Sequence, residues 1–223
     1  MGWKTNTLVA FAELDRPLAE GRANDASKAA EIAAAIDRGL IPVGDSTYEI
    51  GGYSGDDHTF VGAYSDAILI GGYDPVDGCF DGETPPIVAT LRGFLPGARV
   101  LALGLHSVVD WFAYAWFIDG ELQRVSQGCG GDGEMIRDDG APLPEEEALL
   151  ARSARNEAGE RVWIEEQDGE REEIAQWSMG EEFAFEVARL AFGARLDEFD
   201  HDRLPMTEFR PPRKVPWRWF KGP

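Results

Sequence analysis

Apolar and polar positions divide this chain into short strands and helices. Residues 5–13 (TNTLVAFAE) form an apolar run of strand length. A helix over residues 26–38 follows: Asn24 or Asp25 can cap its start, alanines fill it, Ile32 and Ile36 lie four apart, and Gly39 can end it in the left-handed conformation. Further on, FVGAYSDAILI reads as two strands around Ser65-Asp66. It is flanked by Ile50-Gly51-Gly52-Tyr53 and its near-copy Ile70-Gly71-Gly72-Tyr73, each followed by acids. Two copies are too few for a repeat architecture.

Thr84-Pro85-Pro86 opens a second helix, with Thr84 as its cap and proline in its first turn. Residues 99–124 (RVLALGLHSVVDWFAYAWFIDGELQR) then read as a buried strand, a polar corner, an aromatic strand, a two-residue turn and a returning strand. In the aromatic strand Trp111, Ala113, Ala115 and Phe117 face one way and Phe112, Tyr114 and Trp116 the other. Both faces are apolar, so the strand belongs in the middle of a sheet covered on both sides. Asp119-Gly120 is a strong hairpin signal, because both positions of such a turn need positive φ.

Residues 128–145 read as a loop, and residues 145–173 as an acidic insertion with a strand at 161–165 and a turn at Asp168-Gly169. Ser178 and Glu181 stand at capping-box spacing before a helix that runs to about residue 196. The fold class expected is α+β: a mixed, mainly antiparallel sheet of six to eight strands with about three helices packed on it. One domain spans residues 1–208, with its acidic insertion at about 145–175, and a basic, Pro- and Trp-rich tail spans 209–223.

Charge sharpens this picture. The net charge is −20, yet residues 209–223 carry five bases and no acid. The field opposes nucleic acid and anionic membrane and favours a cationic protein partner. The tail interleaves bases with Trp217 and Trp219, a pattern suited to single strands, but docking on the protein's own acidic surface fits the charge better. Cys79 and Cys129 form no CxxC pair, which fits a reducing compartment. The start lacks the pattern of a secretory leader and no run is long enough to span a bilayer, so the expected location is cytoplasmic.

The one close polar cluster inside apolar sequence is His106, Ser107 and Asp110. An aspartate orienting a histidine beside a serine is the kit for general base catalysis, so these three are the candidate catalytic residues. The alternative is a His–Asp hydrogen bond satisfying two polar groups at a strand corner. No cofactor or metal is expected: the three histidines and two cysteines show no ligand spacing, and the glycine-rich 128–133 lacks the strand–helix context of a nucleotide cradle.

The stretch from Leu103 to Arg124 closely resembles an uncharacterised bacterial domain-of-unknown-function family, in which an HSVVDW-aromatic-A motif precedes an aromatic strand and a DG-x-L-x-R hairpin. Supporting matches are Gly2, Lys4 and Thr5, the Gly140 to Pro144 loop and the Gly180-Glu181 helix start. The resemblance implies a shared fold and no mechanism. The leading expectation is a non-catalytic interaction protein with an acidic surface, immunity- or inhibitor-like toward a basic partner. The alternative is an enzyme or small-molecule binder with a pocket near His106, Ser107 and Asp110, joined by Tyr53, Tyr73 and Asp77. A third reading is a homo-oligomer that uses the aromatic tail as an arm.

Overall fold

A computed structural model describes residues 3–14, 16–52, 58–72, 75–76, 78–131, 133–167 and 170–212. Among them, nine strands form one sheet in the order β2-β12-β3-β4-β1-β5-β6-β7-β8 and three form a smaller sheet, β11-β10-β9. The strands of the large sheet are β1 (Lys4–Phe11), β2 (Ile41–Thr47), β3 (Thr59–Ala63), β4 (Ala67–Gly71), β5 (Arg99–His106), β6 (Trp111–Ile118), β7 (Glu121–Cys129), β8 (Glu134–Gly140) and β12 (Pro205–Arg210). Those of the small one are β9 (Ala154–Arg155), β10 (Arg161–Gln167) and β11 (Glu170–Ala175). All their pairings are antiparallel.

The alternation along β6 separates two cores. Phe112, Tyr114 and Trp116 pack with Leu101, Leu103 and Leu105 of β5, against helices α4 (Pro144–Leu150), α5 (Gly180–Val187) and α6 (Arg189–Phe192). Ala113, Ala115 and Phe117 face the other way, against α1 (Ala26–Ile36) and α3 (Pro86–Phe94). A single-turn helix, α2 (Tyr48–Gly51), follows β2 in the chain. β6 is therefore covered on both sides, as its two apolar faces require. Each large side chain buried this way contributes on the order of 1.5–3 kcal/mol.

Local signals hold at several ends. Asp25 accepts from the Ser27 and Lys28 amides at 3.0 Å and starts α1. Asp119 and Gly120 take φ of 54° and 84°, as the β6–β7 hairpin demands. Other ends differ from expectation. Pro85, rather than Thr84, stands at the cap of α3 and makes no side-chain cap. The helix expected to residue 196 is broken into α5 and α6 and stops where Gly193 turns left-handed. The 128–145 stretch is not all loop: β8 forms the sheet's outer strand, a place where charged residues suffice because one side faces water.

The acidic stretch shares the main core. Trp163 of β10 is buried edge-on against Phe183 of α5, and its indole N–H donates to the Leu149 carbonyl at 2.9 Å. β12 runs inside the sheet as far as Arg210, with Phe209 in the core. Residues 213–223, which hold most of the basic tail, lie outside the described residues, as do Tyr53, Tyr73, Asp77 and the Asp168-Gly169 turn.

Candidate functional site

β5 ends at His106, a one-turn 3-10 helix spans Ser107–Val109, and β6 starts at Trp111. His106 opposes Trp111 across the β5–β6 pair and shares its face of the sheet. The next residue turns the opposite way. Ser107 accepts the Trp3 N–H at 2.8 Å and donates its hydroxyl to a Glu181 carboxylate oxygen at 2.7 Å. The Ser107 N–H also donates to the Trp3 carbonyl at 2.8 Å. The serine thus ties the first strand and helix α5 to the corner. The imidazole Nδ1 of His106 is buried and has no hydrogen-bond partner among the described residues.

Asp110 closes the corner in the left-handed region, φ 48° and ψ 37°, an uncommon conformation for a side chain-bearing residue. It is exposed, and its carbonyl accepts the Gly130 N–H at 3.0 Å. Ser107 and Asp110 line one small cavity of about 40 Å³ together with Glu181 and Trp177; His106 does not. That volume has room for a few water molecules. The corner also thrusts Val108 into solvent, 81% exposed, beside a half-exposed Val109.

Glu181 is the residue that sequence reading assigned elsewhere. Its spacing from Ser178 suggests a capping box, but α5 starts at Gly180, Met179 takes the cap position, and no side chain caps it. The carboxylate is instead drawn to Ser107. The adjacent glycine permits the close approach: a Cβ on Gly180 would lie 1.8 Å from the Phe112 ring.

A second polar centre, also missed in sequence, lies under α4. Arg124 and Glu146 are almost fully buried, and the guanidinium meets the carboxylate in a two-pronged bond of 3.1 and 2.8 Å. Tyr114 donates to Glu146 at 2.6 Å, the Leu143 N–H donates to it at 2.6 Å, and Arg124 also reaches Asp138. Burial alone would lower the Arg124 pKa, but its bonds to Glu146 outweigh that and hold it above the ordinary value. Burial, reinforced by the Glu146 charge, pushes the Tyr114 phenol well up. Every group here is partnered within the fold, which marks it as a structural centre.

A larger cleft, about 290 Å³, opens at the same end of the sheet, between the start of β8 and the base of the β10–β11 hairpin. Met135, Val162 and Trp177 form its apolar walls, and Glu134, Glu160 and Arg161 its charged ones. Trp177 also lines the small cavity, so the two hollows share one indole. Beyond the cleft, Glu165 opposes Glu172 and Glu166 opposes Arg171 across the hairpin.

Together these features define an antiparallel α+β sheet protein, helices on both faces, with a polar corner, a cleft and an acidic hairpin at one end. No group of three or more His, Cys, Asp or Glu among the described residues could hold a metal ion, and no helix among them is long and apolar enough to cross a membrane. The chain belongs to a family of unknown function, DUF6928, whose model matches residues 5–209. No curated protein and no solved structure matches it.

Proposed function

We propose that the protein is a non-catalytic binding protein, inhibitor- or immunity-like, that engages a basic protein through its acidic hairpin. One observation carries the reading: exposed Glu165 and Glu172 stand directly opposite each other on β10 and β11. Like charges in that position destabilise a sheet. The hairpin keeps them, with exposed Glu166, Glu170 and Glu173 alongside, an arrangement suited to cations brought by a partner rather than to its own stability. A net charge of −20 steers such a partner and speeds encounter.

The experiment is capture on the immobilised full chain at low ionic strength, elution with salt, and reconstitution of the pair from purified proteins. The reading expects a basic partner whose affinity falls steeply as salt shortens the screening length. A reconstituted partner whose binding is unchanged between low salt and about 0.5 M, where surface charges are largely screened, contradicts it.

A further inference from the structure

Resting on that reading, we infer that the cleft at the base of the hairpin receives an arginine or lysine side chain of the partner. The walls fit both parts of such a residue. Met135, Val162 and the Trp177 indole offer apolar and aromatic surface to an aliphatic stem and a face to a cation. Glu134 and Glu160 offer two carboxylates to the charged head, against the single guanidinium of Arg161. Among the described residues, the Glu134 and Arg161 side chains have no ion-pair or hydrogen-bond partner. Glu160 accepts only from the Asn156 amide, at 3.0 Å, and keeps its charge uncompensated.

The glycines at the end of β7 and just after it have a role here. A Cβ on Gly130 would lie 3.0 Å from the Trp177 ring, and one on Gly128 3.2 Å from the Trp177 Cβ. Those glycines leave room for the indole beside the sheet's end, although the closest approaches there are to Asp110 and Phe112. The cleft is continuous with the hairpin through Arg161 and Val162, so a basic segment lying along the hairpin carboxylates brings a side chain to its mouth.

The test is a titration of the isotopically labelled full chain at low salt with a capped tetra-arginine peptide, and with capped tetra-glutamate as control. The expected result is a saturable shift of the Trp177 indole N–H resonance with the arginine peptide alone. Glu134→Gln combined with Glu160→Gln weakens binding about tenfold, and Arg161→Gln tightens it about threefold, as loss of two attractive charges and one repulsive one requires. Both glutamates are exposed, and Glu160→Gln keeps a side-chain oxygen to accept from Asn156, so the fold survives the pair of substitutions. Arginine-peptide binding that leaves Trp177 unmoved and ignores these variants overturns the pocket while the acidic-surface reading stands. No binding of the arginine peptide at low salt overturns both.

Discussion

The Ser107 hydroxyl lies 2.7 Å from a Glu181 carboxylate oxygen, across 74 positions of sequence. With the Trp3 amide on its other side, this serine works as a joint between the first strand, the β5–β6 corner and helix α5. Ser107→Ala removes the acceptor of one backbone amide and the donor to a half-buried carboxylate. It is expected to cost about 1–3 kcal/mol in denaturant unfolding. A variant as stable as the parent chain contradicts the joint.

Gly180 is expected to tolerate no side chain. Gly180→Ala drives a methyl into the Phe112 ring, so either α5 lifts from the sheet or Phe112 leaves its rotamer. Overpacking of this kind costs about 1–3 kcal/mol or more. The midpoint of urea unfolding reads it, and an unchanged midpoint refutes the contact.

Breaking the Arg124–Glu146 pair leaves the buried guanidinium with Asp138 as its one remaining carboxylate among the described residues. Glu146→Leu is expected to lose about 3–5 kcal/mol, a large share of a domain's stability. Adding Arg124→Met to that variant removes the under-paired guanidinium and recovers part of the loss. The double-mutant cycle measures it, and simple additivity of the two changes contradicts the pair.

The Arg195 cluster makes stability depend on acid. Arg195 bonds to Asp197 at 2.9 Å and to Glu186 at 2.7 Å. The Arg195 hydrogen bond holds the Asp197 carboxyl below its usual range. At Glu186 burial pushes the other way, but the bonds from Arg195 and Arg189 prevail and lower it too. Both carboxyls bind a proton more readily unfolded, so their contribution is full above the ordinary carboxylate range and is lost as pH falls through the lowered values. Stability measured from about pH 6 to pH 2 should fall less steeply in Arg195→Gln than in the parent chain. Parallel curves contradict the assignment.

Much of the fold is legible in the sequence because period-two alternation and turn chemistry are local. β6 declares its two faces, Asp119-Gly120 its hairpin and the Asn24-Asp25 pair its helix start. β8 escapes because an outer strand, EMIRDDG, needs no apolar alternation, and β12 because its short run sits among acids and prolines. The polar corner is visible as His106, Ser107 and Asp110, but not its wiring. Adjacent residues at a strand end part to opposite faces, so Ser107 finds Glu181 rather than His106. A partner 74 positions away leaves no local signature, and the capping-box spacing of Ser178 and Glu181 points to another role. The cleft is hidden for the same reason: its walls come from β8, β10 and the segment before α5, which only the folded sheet brings together.

The most direct test of the account is to replace Glu165, Glu170, Glu172 and Glu173 together by glutamine and repeat the capture at low salt. All four are exposed, and removing the Glu165–Glu172 repulsion should leave the fold as stable as before or slightly more so. A basic protein held by the parent chain should bind the variant at least about tenfold more weakly. Equal retention of the same partner by both chains, or a partner that is not basic, contradicts it.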